Sequence, residues 1–351
     1  MREFLAALHK EIDLSAQGPS PVSVETIFFG GGTPSLLEAE DLAGILEHLR
    51  AAFPVSPRSE VTMEANPESV DPGKLKQLRA CGVNRLSIGI QSFHEKELEF
   101  LGRIHDARKA KEAFWSAREA GFENINVDLI YSLPGQTLAQ WGESLNHALR
   151  LPPEHISAYG LIVEDNTPLS RMVRARQVSP GPLEGEAEMF EFTMETLARN
   201  GFEHYEISNY ARPGYRSQHN FNYWNHGTYL GFGPSAHSFI RGEGTGGKRW
   251  WNVANISGYT RRLMEGNLPV ASTEILSTEE VMTERVFLGL RSTGLDLLSF
   301  RKEFGDSLLA KNDSHIQGLV ETNVATVNGD LLRLTPRGYL ICDEVSARLM
   351  S

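Results

Sequence analysis

Cysteine is almost absent from this 351-residue sequence: Cys81 and Cys342 are the only two. They are far apart and in different predicted elements, which excludes a disulfide framework and any zinc or iron-sulfur site built from clustered thiolates. Each reads as a small buried residue or an ordinary thiol. Long apolar runs are missing as well. No stretch of about 18 apolar residues could span a bilayer, and the N-terminus "MREFLAALHKEIDL" breaks its apolar positions with charges where a signal peptide would have an uninterrupted core. The expectation is a cytoplasmic protein with no membrane span. Positive charge is in deficit, since 34 Lys and Arg against 45 Asp and Glu leave a net charge of -11. That balance argues against nucleic acid as a partner, and the one dense basic cluster, "RMVRAR" from Arg171 to Arg176, reads as a solvated helix face.

What is present suits a globular chain: 40% hydrophobic and 23% charged residues allow one large or two ordinary domains with a substantial core. From Val24 to about Asn209, β-branched runs alternate with helical stretches, the signature of βαβ units around a parallel sheet. The predicted strands are "TIFF", "VTMEA", "RLSIGI", "INVDLIY", "ISAYGL" and "HYEIS". Helices are expected over Leu36–Ala52, Gly73–Ala80, Glu95–Gly102, Ala107–Ala120 and Leu138–Leu149, with Gly82 and Gly121 at two exits. Between about Tyr210 and Trp251 the periodicity breaks into a Gly-, Asn- and aromatic-rich segment, long for a structureless connection. From Leu276 onward three helical stretches precede two extended pieces, "VATVNGD" and "LLRLTPRGYLIC", joined around Asn328-Gly329, which reads as a small winged-helix-like unit. Its acidic to neutral character argues against DNA binding. The expected organisation is an α/β barrel-type domain over 1–209, a Gly/aromatic-rich extension over 210–270 and the winged-helix-like domain over 271–351.

The glycines of "TIFFGGGTPSLLEAEDL" lie between a strand end and a helix start that the Ser35–Glu38 spacing marks as a capping box. Glycine there permits positive φ and close approach of a carboxylate, an amine or a phosphate to backbone amides; a tight strand-to-helix turn would use the same residues. Other polar residues fall at predicted strand ends: Glu64, Gln91, Arg103 and Asp128. In a β/α barrel those ends form the active-site rim, and a carboxylate, an amide and a guanidinium together suit a zwitterionic ligand.

The ordered set "GGGTPS", "MEANPES", "NRLSIGIQSF", "LGRIH", "VDLIYSLPGQT", "AYGLIVEDNTPL" and "YEISNYARPGYRSQHNFNYW" resembles the oxygen-independent coproporphyrinogen III oxidase-like group of radical S-adenosylmethionine (SAM) proteins. The resemblance covers nearly the whole chain, including "RLTPRGYL". Within that group, "HNFNYW", with His219, Tyr223 and Trp224, resembles the HNxxYW signature of the HemW-type heme chaperones. It implies a (β/α)6 barrel whose Gly31, Gly32 and Thr33 contact the methionine moiety of SAM, with Glu64, Gln91, Arg103, Asp128 and Ile162 completing the pocket. It also implies a [4Fe-4S] cluster on a CxxxCxxC loop after the first barrel strand. This sequence departs from the pattern there: it has neither those cysteines nor that strand. The expected fold is thus a partial (β/α)6 barrel missing its first strand, plus the small C-terminal α+β domain, with no radical chemistry from this chain. A start at an internal methionine of a longer protein is the favoured reading of this departure, because loss of a barrel strand exposes an edge; a natural truncated form is the alternative.

Heme binding requires an axial ligand and an apolar or aromatic surface. The segment "QHNFNYWNHGTYLGFGPSAHSF" offers His219, His226 and His237 among Phe221, Tyr223, Trp224, Tyr229 and Phe232. The motif favours His219 as the metal ligand. The expected function is a chaperone that holds heme and passes it to acceptor hemoproteins at the respiratory membrane, with the SAM pocket retained. Two alternatives stand beside it: a porphyrinogen-decarboxylating enzyme needing the absent cysteine segment, and a catalytically dead binding or regulatory protein that gives no heme spectrum.

Overall fold

The protein is described here from a computed structural model covering residues 1–18, 23–242 and 244–350. In chain order, α1 (Arg2–Ala16), β1 (Val24–Phe29), α2 (Ala39–Ala52), β2 (Val55–Ala65), α3 (Pro72–Cys81) and β3 (Arg85–Gln91) open the alternation. Next come α4 (Glu95–Phe100), α5 (Ala107–Glu119), β4 (Ile125–Tyr131), α6 (Leu138–Leu149) and β5 (His155–Gly160). They are followed by α7 (Pro168–Arg174), α8 (Leu183–Arg199), β6 (Glu203–His204) and β7 (Asn209–Ala211). These strands form one seven-stranded sheet in the order β1-β2-β3-β4-β5-β7-β6.

The chain divides into two compact units. The first comprises Thr26–Leu42 and Glu60–Arg216. Its strands β2 to β5 run parallel, as the βαβ pattern requires, while β7 and β6 close the series antiparallel. The single strand expected at "HYEIS" is therefore two short ones, turned back at Glu206–Ser208. Alternation along the strands separates two faces. Met63, Leu86, Ile88, Ile90, Val127, Leu129, Ile156 and Ala158 are all buried on the outer face, each of the side chains larger than alanine contributing about 1.5–3 kcal/mol by leaving water. The inner face carries Thr62, Glu64, Arg85, Ser87, Asn126, Asp128, His155, Ser157 and Tyr159.

Local chemistry sets the helix limits. Asp71 caps α3 through Lys74 N at 2.9 Å, Asp106 caps α5 through Lys109 N at 2.6 Å, and Thr137 with Gln140 makes a capping box for α6. Gly82, at φ +107°, ends α3 in the left-handed conformation. Ser35 corrects the sequence reading. It is not a helix cap but lies in a short 3-10 turn, Pro34–Leu36, fully buried, with its hydroxyl 2.5 Å from that of Ser69; α2 begins only at Ala39.

The second unit comprises Met1–Glu25, Ala43–Ser59 and Ser217–Ser351. It contains α9 (Gln218–Trp224), β8 (His237–Arg241), β9 (Gly247–Asn252), α10 (Ile256–Met264) and β10 (Val270–Leu276). The segment without sequence periodicity is thus ordered, as one short helix and an antiparallel sheet in the order β10-β9-β8. Glu11 of α1 is buried there, accepting bonds from Tyr259 Oη (2.5 Å), Gly233 N (2.8 Å) and Asn252 Nδ2 (2.5 Å). The chain ends with α11 (Thr278–Leu290), β11 (Leu295–Asp296), α12 (Leu297–Phe304), α13 (Ser307–Lys311), α14 (Asp313–Glu321), β12 (Ala325–Asn328), β13 (Leu331–Leu334), α15 (Pro336–Tyr339) and α16 (Cys342–Met350). The Asn328-Gly329 turn joins β12 and β13, with Gly329 at φ +62°. The second extended piece stops at Leu334, earlier than its sequence suggests, because Thr335 caps α15 with Pro336 in the first turn. Among the described residues, no helix is long and apolar enough to cross a membrane.

Candidate functional site

The loop after β1 is sewn to the loop after β2. Gly31 N donates to Glu64 Oε2 at 3.2 Å, and Asn66 Nδ2 donates to Thr33 Oγ1 at 3.3 Å. Arg103 Nη1 donates to Asn66 Oδ1 at 3.0 Å, which brings the segment after α4 to the same point. Gly31 and Gly32 adopt φ of +78° and +76°, and a Cβ at either would meet nothing within 4 Å. Their glycine requirement is therefore conformational, and the space above them is open to a ligand.

Gln91, at φ +68°, sits on a register shift between β3 and β4. A Cβ on Gly89 would lie 2.8 Å from Gln91 Nε2 and 3.2 Å from Asn66 Oδ1, so Gln91 and Asn66 flank the bare Gly89 backbone. Asp128 is held on the inner face by Ser87 Oγ (3.0 Å) and Asn126 Nδ2 (2.7 Å). Burial pushes the Glu64 carboxyl up from its ordinary value, and the nearby Asp128 pushes it further. Of the eight residues expected around SAM, seven are thus brought to one rim. Ile162 stands beyond the end of β5 with 75% of its surface exposed.

Asn66 was not singled out in the sequence, although it holds Thr33 and Arg103 together; its position in "MEANPES" was the available signal. His105 was also missed. It is buried, with Nδ1 2.9 Å from Glu68 Oε2 and Nε2 3.1 Å from Ile90 O, and so ties the Pro67–Ser69 turn to β3. Below the rim, Asn126 bonds Ser157 (2.8 Å) and His155 (2.6 Å), and His155 bonds Tyr205 (2.8 Å). The period-two polar positions of "RLSIGIQ", "INVD" and "HISAY" mark this inner layer.

The second unit contains the histidine-rich segment. Ser217 caps α9 through Asn220 N at 3.2 Å, and the helix presents His219 and Tyr223 one turn apart. Their rings meet edge-on at 4.9 Å, and Tyr223 meets Tyr229 edge-on at 4.6 Å. Trp224, the last residue of α9, is half-buried. The three candidate histidines differ sharply in setting. His226 is 5% exposed, bonded to Glu284 at 2.8 Å and stacked on Phe239 at 4.5 Å, a structural role. His237 is exposed and stacks on Trp251. His219 is half-buried.

The residues present do not fit an iron-sulfur cluster. Cys81 Sγ lies 3.4 Å from Ala39 O and Cys342 Sγ 3.2 Å from Asp343 Oδ1. Burial also pushes the Cys342 thiol up to about 11, away from the thiolate a metal needs. Among the described residues, no group of three or more His, Cys, Asp and Glu side chains is placed to hold a metal ion.

Comparison with known proteins agrees with this architecture. The profile of the Radical SAM superfamily matches residues 15–148, and that of the HemN C-terminal domain matches residues 276–341. Heme chaperone HemW of Bacillus subtilis is 39% identical over 345 residues, covering 98% of this chain and 90% of the relative. Heme chaperone HemW of Mycobacterium tuberculosis is 37% identical over 351 residues, covering 99% and 86%. Radical S-adenosyl methionine domain-containing protein 1, mitochondrial, of Bos taurus is 38% identical over 363 residues, covering 99% and 81%. The solved structure of Escherichia coli coproporphyrinogen III oxidase (HemN) superposes with a TM-score of 0.83 at 22% identity, over 100% of this chain and 83% of that one; it establishes the fold, a radical-SAM-type partial barrel with a C-terminal HemN-like domain. With relatives this similar along almost its full length, the chain belongs to the HemW family of the Radical SAM superfamily.

Proposed function

We propose that this protein is a heme chaperone, which holds heme through His219 and passes it from the cytoplasm to acceptor hemoproteins at the respiratory membrane. The observation that carries the reading is a half-buried imidazole on α9 with Tyr223 edge-packed beside it and Tyr229 edge-packed on Tyr223. An imidazole supplies an axial nitrogen, and aromatic rings supply apolar surface for a macrocycle. The names of the closely similar relatives support the same reading.

The rim of the first unit is proposed to bind SAM. Arg103 and the glycine loop at Gly31 and Gly32 suit its carboxylate, Glu64 its ammonium group, and Thr33, Gln91, Asp128 and Ile162 the remaining polar and apolar edges. Bound there, SAM would supply a sulfonium centre. This chain's residues orient it and offer no cluster ligands, so no radical step is assigned to them.

Titration of the full chain with hemin, followed at the Soret band, tests the chaperone reading. A saturable one-to-one spectrum that His219→Ala abolishes is the expected result. Absence of a specific spectrum, or an unchanged one in the variant, would overturn the assignment of His219.

A further inference from the structure

The inner face of the sheet carries a cluster that neither the rim set nor α9 uses. Glu206 is 1% exposed and Asn209 4% exposed, yet Glu206 Oε1 and Asn209 Oδ1 have no hydrogen-bond partner. Glu206 Oε2 accepts a long bond from Ser208 N at 3.4 Å. Buried acceptors without donors are destabilising, so two in one place call for an explanation. Register sets Asn209 opposite Ser157 on β5, and Tyr159, two positions along the same strand, shares that face. Asn209 pairs through its side chain with both Glu206 and Tyr159, leaving Glu206 Oε1 and Asn209 Oδ1 as the acceptors still open.

The surroundings determine what would complete the cluster. The neighbouring layer of Ser87, Asn126, Ser157, His155 and Tyr205 is bonded within itself, to Asp128 and, through Ser157, to Tyr159. Asp128 acts electrostatically on Tyr159, as Glu206 does, so the cluster faces two carboxyl groups. Open acceptors in a negative field are best completed by a donor that is also a cation.

We propose that Tyr159, Glu206 and Asn209 form a binding subsite for a protonated amine. An ammonium group brings three N–H donors and one positive charge. Glu206 Oε1 and Asn209 Oδ1 each accept one donor, and the Tyr159 side chain, 41% exposed, lines the open side, where its ring attracts a cation. Burial pushes Glu206 up to about 7, and a neighbouring cation would lower it. The subsite stands without the SAM reading, since none of its three residues belongs to the rim set.

Saturation-transfer NMR on the full chain, with n-propylammonium as probe and n-propanol as its neutral isostere at physiological salt, tests the proposal. Transfer to the ammonium is expected to exceed transfer to the alcohol several-fold. Glu206→Gln and, separately, Tyr159→Leu are expected to at least halve the ammonium signal while leaving the circular dichroism spectrum unchanged. Adding SAM separates the sources of the amine: displacement of the probe identifies the amino group of SAM itself, and retention identifies a separate small amine. Equal transfer to the two probes, or an undiminished ammonium signal in both variants, would overturn the proposal.

Discussion

His219 Nε2 and the Tyr223 hydroxyl lie 2.9 Å apart and are hydrogen-bonded. Whichever atom donates, that nitrogen is not free to bind iron: its lone pair is either accepting the phenol proton or replaced by its own N–H. Burial, with Tyr229 adding to it, pushes the Tyr223 hydroxyl up to about 12, so it remains a phenol at neutral pH. Heme capture through Nε2 must therefore break this bond. Removing it with Tyr223→Phe is expected to tighten hemin binding roughly fivefold, the equivalent of a neutral hydrogen bond of about 1 kcal/mol. Soret titrations of the two proteins provide the comparison; weaker binding in the variant would show that Tyr223 supports the complex instead of competing with it.

Asn66 occupies the corresponding position at the barrel rim, donating to Thr33 and accepting from Arg103. Asn66→Ala leaves Arg103 without this partner and frees the glycine loop from the loop after β2. SAM binding measured by calorimetry is expected to weaken about tenfold, the equivalent of roughly 1.4 kcal/mol. Hemin binding is expected to stay unchanged. Equal loss of both ligands would argue that the variant had disturbed the fold and not the pocket.

Glu206 gives a pH signature. Its pKa in the folded protein is about 7, raised by burial from an ordinary 4.5. A raised carboxyl favours the folded state while it is protonated, so its contribution is fully present below pH 4.5 and is lost as pH rises through about 7. Over that window the loss amounts to about 3 kcal/mol. Glu64 and Asp128 are raised in the same direction, so the difference between wild type and Glu206→Gln is the informative quantity. Urea unfolding is expected to show the variant gaining stability relative to wild type between pH 5 and pH 8. A difference that stays flat across this range would show that Glu206 is ionised throughout.

Period and capping made the parallel sheet legible: "INVDLIY" and Leu138–Leu149 coincide with β4 and α6. Legibility fell where tertiary contacts decide. Ser35 and Glu38 have capping-box spacing, but the Ser35 hydroxyl pairs with Ser69 across the loop, a partner no local pattern reveals. β8 and β9 are short and aromatic, and they are strands because they pair with each other and β9 pairs with β10. At the rim, polar residues at strand ends could be identified from sequence, while the organising role of Asn66 required knowing which loops meet.

His219 and His226 stand close together in one segment, and its composition offers both, with His237, as ligands. Their surroundings predict opposite phenotypes. His226 is buried and bonds Glu284, which also pairs with Arg249 at 2.5 Å. Burial alone would raise Glu284, but the bonds from His226 and Arg249 outweigh it and hold the carboxyl below its ordinary value. Removing His226 takes away one of these bonds and the ring stacked on Phe239, so His226→Ala is expected to cost about 3 kcal/mol of folding stability. The half-buried ring of His219 packs only part of its surface, and His219→Ala is expected to cost less than about 1 kcal/mol. Urea unfolding and hemin titration together give a two-by-two test. His219→Ala should be stable and lack the specific Soret band, whereas His226→Ala should be destabilised yet bind hemin while folded. If His226→Ala keeps wild-type stability and loses the band, the ligand is the inner histidine, and α9 would have to open to admit heme.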